Sequence, residues 1–216
     1  MSAELLKVSG ENPDPVVMRY AAQFIRRGDL VAIPTDTFYG IAADPFNLSA
    51  VEQIYQVKGR PETRALPILV NSLAQAISLT RDVPYIFHKL AAKFWPGPLT
   101  LLVEASTGVP LKVTANTGNV ALRWPKSAVV SALIDLVKGP ITGTSGNISG
   151  LPACSSAVQL LEQLGDRLPL IIDAGETPGN LASTIVKLEN DDWTVMREGV
   201  ISEESIRAAL AEQDEE

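Results

Sequence analysis

The chain has 216 residues, 46% of them hydrophobic, with 18 lysines and arginines against 25 aspartates and glutamates, one histidine, one cysteine and a net charge of −7. A domain usually takes about 100–200 residues, so we expect a single domain over residues 1–216, with its core at about 14–200 and an acidic helix and tail at 202–216. One cysteine excludes an internal disulfide, and one histidine with it excludes a structural zinc cage.

No apolar run approaches the roughly 18 residues of a membrane span. The opening residues lack the basic and apolar regions of a signal peptide. A soluble cytoplasmic protein with no membrane partner is the expectation. From Glu203 onward six acids and one arginine give −5, which leaves −2 for the rest. A nearly neutral body argues against strong direct nucleic-acid binding but permits a local basic pocket for a small anion.

Taken in chain order, Asp14-Pro15 reads as an N-cap followed by proline at the first helical position. That helix runs to about Arg27, with Gly28 ending it and Val16, Ala21, Phe24 and Ile25 as its buried stripe. Residues 30–34 form a buried strand. Ser49 to Glu52 has capping-box spacing and opens a helix through Val57. Residues 66–70 are a strand, and helices follow from Ser72 and from Pro84 to Phe94. Phe94 to Pro98 is a packed corner. Residues 99–105 and 119–125 are strands, 127–137 a helix, and 140–146 a strand running into a turn. Ser155 or Ser156 caps a helix through Leu164. Three more strands follow at about 168–175, 183–189 and 193–199, then a helix from Ser202 with acids at its positive end. Alternating strands and helices that end in consecutive strands predict an α/β fold with a twisted mixed sheet of about seven or eight strands.

Three segments could carry chemistry. Pro34-Thr35-Asp36-Thr37 puts two hydroxyls and a carboxylate at a strand's carboxyl end, where open α/β sheets bind ligands. The same residues also stabilise ordinary turns. Lys58, Arg60 and Arg64 lie at a helix end and before a buried strand. A helix dipole accounts for Lys58, with Gly59 as the C-terminal cap, but not for the two arginines beyond it, whose forks suit a polyphosphate. Residues 142–150, rich in Gly, Ser and Thr around Asn147, follow a strand and could form an anion-binding nest. They match neither a Walker A loop nor a dinucleotide fingerprint. Arg123 sits in an otherwise apolar strand, and Arg197 resembles it. His88 reads as structural or surface, and Cys154 has no histidine near it in sequence. The chain is rich in cations and hydrogen-bond donors and poor in covalent or acid–base machinery. Nucleotidyl and phosphoryl transfer need little more than positioning and charge stabilisation.

In this order, "IPTDTFYGIAAD", "KGRPETRALPILV", "FWPGPLTLLV", "NVALRWP", "TSGNISG", "STIV" and "MREG" resemble the YrdC-type L-threonylcarbamoyladenylate synthases, from about Ile33 to Gly199. Lys58 with Arg60, and Ser145 with Asn147, look like the family's two hallmark pairs. The resemblance implies a mixed α/β sheet flanked by helices around a large cavity. It implies condensation of L-threonine, bicarbonate and ATP to threonylcarbamoyl-AMP and pyrophosphate, with Mg2+ on the phosphates. The product would pass to a separate transferase complex that makes N6-threonylcarbamoyladenosine in tRNA. By analogy Thr35, Arg123, Gly143 and Ser183 would hold threonine. Lys58, Arg60, Arg64, Asn119, Ser145, Asn147 and Arg197 would hold ATP, with Lys58 and Arg60 at the reaction. Ala182 and Lys187 depart from acidic residues common in the family, and Asn119 from a threonine. The chain reads as a single-domain member without the C-terminal extension of longer ones. The alternatives are an RNA-binding or ribosome-maturation module and a paralogue that keeps the fold without the reaction.

Overall fold

Eleven strands and seven helices alternate along the residues that the computed structural model describes, 3–59, 63–190 and 192–211. In order they are β1 (Glu4–Lys7), α1 (Pro15–Arg26), β2 (Val31–Pro34), β3 (Tyr39–Ala42), α2 (Leu48–Lys58), β4 (Ile68–Leu69), α3 (Leu73–Ser78) and α4 (Tyr85–Phe94). There follow β5 (Leu99–Glu104), β6 (Asn119–Arg123), α5 (Ala128–Val137), β7 (Ile141–Thr142), β8 (Thr144–Ser145), α6 (Ala157–Leu164), β9 (Leu170–Asp173), β10 (Thr184–Glu189), β11 (Asp192–Arg197) and α7 (Glu203–Ala211).

The sheet is mixed, as expected, but its strands divide into two: β1-β9-β2-β3-β8 and β11-β10-β5-β6-β4-β7. In the first, β1, β9 and β2 run parallel, and β3 and β8 are antiparallel. In the second, β10 with β5 and β4 with β6 are parallel, and the other pairs antiparallel. The expected single strand at 140–146 is two short strands in different sheets, hinged at Gly143. A Cβ there would lie 2.4–2.6 Å from the side chain of Leu69, so only glycine lets this crossing run so close to β4. Thr142 ties the sheets together: its amide donates to Ala43 O at 2.9 Å, and its hydroxyl accepts from Ala43 N and donates to Ile41 O.

Local chemistry sets the helix ends. Asp14 accepts from Val16 N at 2.7 Å and caps α1 with Pro15 at its first position. Ser72, Ser127 and Ser156 cap α3, α5 and α6. Gly59 ends α2 in the left-handed region at φ 56°. Two sequence expectations need correction. Asn47, not Ser49, caps α2, because its side-chain oxygen reaches the amides of both Ser49 and Ala50. Val16 is 64% exposed, and Met18 joins Ala21, Phe24 and Ile25 on the buried face of α1. That face and α5 cover Val31, Ile33, Leu170 and Ile172 on one side of the first sheet. Ala32, Ile41 and Ile171 on the other side join the larger core cluster. Burial on both faces explains why residues 30–34 read as a continuous apolar run.

The corner before β5 is packed as expected, with Trp95 Nε1 donating to Leu99 O at 2.8 Å. No helix among the described residues is long and apolar enough to cross a membrane. The C-terminal segment folds back on buried Thr184, whose hydroxyl accepts from Gly199 N and Ile201 N at 3.0 Å each. The approach is close: a Cβ on Gly199 would lie 2.1 Å from Ala182 O and 2.8 Å from the carbonyl carbon of Ser183. Gly199→Ala should therefore lower stability by about 1–3 kcal/mol, read as an earlier urea midpoint. An unchanged midpoint would mean that the backbone yields there without cost.

Candidate functional site

A cavity of about 420 Å³ opens between the two sheets. Its floor follows from the two-residue period of a strand, which sends alternate side chains to one face. Thr100 and Leu102 of β5, Ala121 and Arg123 of β6, and Ser183 and Ile185 at and before the start of β10 all line it. Their neighbours Leu99, Leu101, Val103, Val120, Leu122 and Val186 point the other way into the core. The opposite wall is the turn between β2 and β3, with Thr35, Thr37 and Tyr39, and the crossing at Gly143, Thr144 and Ser145.

Arg197 reaches this cavity through an irregularity. β11 pairs Val195 with Val186 but Arg197 with Ile185, skipping Met196. In a regular ladder Arg197 would share the face of Val195, which packs on the core. The extra residue is a β-bulge, and it re-aims Arg197 to the cavity side. Arg197 Nη2 and Nε donate to Ser183 O at 2.8 and 3.2 Å, and Nη2 also donates to Ser183 Oγ at 3.2 Å. Ser183 Oγ lies 2.9 Å from Thr100 Oγ1.

Arg123, 7% exposed, is held on three sides. It donates from Nε to Gly97 O at 3.2 Å, from Nη1 to Thr37 Oγ1 at 3.1 Å and from Nη2 to Asp36 Oδ1 at 2.5 Å. Burial pulls the Arg123 pKa below the ordinary arginine value, Asp36 pulls it back up, and the nearby Arg197 charge pushes it down. Burial alone lowers that of Arg197. Asp36 Oδ2 is buried without a hydrogen-bond partner. Thr35 donates its hydroxyl to Phe38 O at 2.7 Å and accepts from Thr37 N, so it shapes the turn as well as lining the cavity.

Lys58, 2% exposed, lies behind the wall. Its ammonium donates to the carbonyl of Ser145, to Asn147 O at 2.8 Å and to Asn147 Oδ1 at 3.2 Å. Ser145 Oγ donates to the same Oδ1 at 2.6 Å, and Asn147 Nδ2 donates to Ile148 O and Leu151 O. The lysine of one hallmark pair thus meets the other pair: it fixes the loop that carries the serine and asparagine.

The structure brings Thr35, Arg123, Gly143, Ser145, Ser183 and Arg197 onto one cavity, with Lys58 and Asn147 directly behind Ser145. Arg64 is exposed, one residue from lining residue Ala65. Arg60 lies outside the described residues. Asn119 is elsewhere: at the far end of β6, about 13 Å from Arg123 by strand rise, it lines a separate recess of about 630 Å³ with Asp82, Glu104 and Glu189. That recess is larger, but it gathers carboxylates, whereas the smaller cavity gathers the guanidinium groups. Sequence reasoning missed Thr100, and of the two threonines it left open at the turn both line the cavity. A threonine in phase with the floor of an otherwise apolar strand was the only trace of Thr100. Burial pushes the Cys154 thiol up to about 11, with nearby Lys58 opposing, so it stays protonated at neutral pH. His88 is exposed on α4.

No carboxylate lines the cavity among the described residues, and Asp36 answers only Arg123. Two guanidinium groups against one carboxylate leave the pocket an excess positive charge, which suits an anionic ligand.

The Sua5/YciO/YrdC family model, described as "Telomere recombination", matches residues 23–199. The threonylcarbamoyl-AMP synthase of Pyrococcus abyssi is 38% identical over 195 residues, 90% of this chain and 57% of that protein. That of Bacillus subtilis strain 168 is 34% identical over 198 residues, 91% of this chain and 57% of that protein. The crystal structure of P. abyssi Sua5 complexed with L-threonine superposes with a TM-score of 0.93 at 36% identity, over 97% of this chain and 61% of that one. The chain therefore spans just over half the length of these curated relatives.

Arg123→Met should cost about 3–5 kcal/mol of stability, because it strands Asp36 as a buried, uncompensated charge. Asp36→Leu in the same chain should return more than half of that loss. Chemical denaturation of the single and double variants measures both, and equal stabilities would show that the pair is not a coupled unit.

Proposed function

We propose, for this chain, which belongs to the Sua5/YciO/YrdC family, the synthesis of threonylcarbamoyl-AMP and pyrophosphate from L-threonine, bicarbonate and ATP. The observation that carries the reading is the pair Arg123 and Arg197 on one cavity, answered by a single carboxylate, Asp36, which pairs with Arg123. The relatives named for this reaction, and the one crystallised with L-threonine, support it independently.

The amine of threonine and bicarbonate condense to a carbamate with loss of water. A carbamate oxygen then attacks the α-phosphorus of ATP, the bond to the bridging oxygen of the β-phosphate breaks, and pyrophosphate leaves. The nucleophile is already anionic, so no strong protein base is needed. The task is to gather three anionic reactants. At about 4 Å two unit charges interact by roughly 4 kcal/mol at an effective dielectric of 20, so each guanidinium offsets a comparable repulsion.

In this reading Arg123, Thr35, Gly143 and Ser183 hold threonine. Ser145, Asn147 and Arg197 hold the nucleotide, with Lys58 and Arg60 at the reacting phosphates. The contact between Arg197 and Ser183 supports a seam where the two halves meet. Lys58 reaches the phosphates through the loop it fixes or by leaving its carbonyl partners. Arg64 joins only as a surface cation, and Asn119, on the other recess, is the weakest of the nucleotide assignments. Among the described residues no cluster of three acidic, histidine or cysteine side chains could hold a metal ion. Mg2+ would arrive on the triphosphate as part of the substrate, held by phosphate oxygens and water. The product would go to a separate complex that modifies tRNA in the cytoplasm.

The test is incubation with ATP, L-threonine and bicarbonate. Pyrophosphate should appear only when all three are present, and release without threonine, or none at all, would overturn the reading. Arg60→Ala should lower kcat about 10²–10³-fold, as expected for loss of a preorganised charge at the transition state. Near-wild-type turnover would remove Arg60 from the reaction.

A further inference from the structure

Ser183 reaches the cavity already engaged on two sides. Arg197 Nη2 donates to its oxygen at 3.2 Å, and Thr100 Oγ1 lies 2.9 Å away. Both hydroxyls are almost fully buried, and both line the cavity. Among the described residues the Thr100 hydroxyl has no other hydrogen-bond partner than Ser183.

A hydroxyl donates one proton and accepts at two lone pairs. The arginine N–H occupies one lone pair of Ser183 Oγ. If Thr100 donates to the other, the serine proton has nowhere to go but the cavity. If Ser183 donates to Thr100 instead, the threonine proton faces the cavity. Either way, the pair presents one O–H to whatever lies above the floor. The first arrangement is the better donor. The cationic N–H draws electron density from Ser183 Oγ, and a second donated bond reinforces it, since chains of hydrogen bonds polarise one another. A donor so prepared matches an anionic oxygen.

We infer that Thr100 is a positioning residue, which fixes the Ser183 hydroxyl as a donor to an anionic oxygen of the amino-acid substrate. This deepens the synthase reading and rests on it. Thr100 sits on β5, and Ser183 precedes Thr184, whose partner in the parallel ladder is Leu99. Thr100 therefore lies in the sheet and Ser183 adjoins its first paired residue, so the register of the sheet sets their separation.

The experiment compares wild type, Thr100→Val, Thr100→Ser, Ser183→Ala and the double variant Thr100→Val/Ser183→Ala. It measures L-threonine binding by calorimetry, KM for threonine and for ATP, and kcat. Thr100→Val removes the hydroxyl and keeps the bulk. It should weaken threonine about 10-fold while the KM for ATP stays within about twofold. That is about 1.4 kcal/mol, near the upper end for one hydrogen bond. Thr100→Ser should come back to within about threefold of wild type. In the Ser183→Ala background, Thr100→Val should add less than about twofold.

Unchanged threonine binding in Thr100→Val, an equal loss for ATP, failure of serine to rescue, or a full additive loss in the double variant would each overturn the inference. Should Thr100→Val not fold, Thr100→Ala in both backgrounds carries the same comparison. A wild-type protein that releases no pyrophosphate with threonine would sink the synthase reading itself. Wild-type turnover with an indifferent Thr100→Val would sink only the role of Thr100.

Discussion

The ion pair between Arg123 and Asp36 is the constraint on which the site depends, because its partners belong to different sheets. Arg123 ends β6 on the cavity floor, while Asp36 and Thr37 belong to the turn that joins β2 to β3. Gly97, from the corner before β5, accepts the third bond. Three separate stretches of chain thus meet at one planar fork. A guanidinium presents its donors in fixed directions, so the pair holds the wall at a set distance from the floor. A buried ion pair is not in itself a source of stability. Its effect here is to keep two apolar sheets from closing on each other along that edge, and to leave part of the arginine fork facing a hollow.

The opposite side of the hollow is fixed by different means. Residues 141–145 cross from one sheet to the other, with β7 in one and β8 in the other. Behind them the Lys58 ammonium gathers carbonyl oxygens of residues 145 and 147. Its long stem comes from the end of α2, where Gly59 turns the chain away. A buried lysine is costly unless its donors are satisfied, and here loop backbone satisfies them. The cavity is thus bounded by two cation-centred knots, one held mostly by side chains and one mostly by main-chain carbonyls. The polar chemistry that reads as a ligand site in the sequence is, to a large extent, also what holds the walls apart.

Much of the fold was legible, for local reasons. Caps, a proline at the first turn and glycines past helix ends act over three or four residues, and most helix ends fell where such signals put them. Asn47 escaped because Ser49 and Glu52 offered a competing cap pattern two residues later, and only backbone geometry chose between them. The strand β3 was hidden in "YGIA", which reads as the tail of a turn. The division into two sheets could not be read at all, since it rests on long-range pairing rather than on local pattern. At the site, residue type pointed to Arg123, Arg197 and the hydroxyl-rich segment around Ser145, because charge and hydroxyl groups are conspicuous in apolar surroundings, whereas Ser183 entered by resemblance. Asn119 was also carried in by resemblance and lies at the opposite end of β6 from Arg123. Thr100 was invisible because threonine is an ordinary strand residue, and its partner is 83 positions away.

The bulge in β11 shows what alternation alone would have missed. Trp193 and Val195 face the core in phase, and the same phase would have carried Arg197 inward with them. One surplus residue breaks the phase, and the last side chain turns over. The pairing of Ile185 with Arg197 rather than with Met196 therefore matters as much as the identity of either. A ladder that ran on regularly through Met196 would leave every residue in the chain yet turn a guanidinium into hydrocarbon, converting a binding edge into a folding defect. In this strand, pairing register as well as composition is the inherited information.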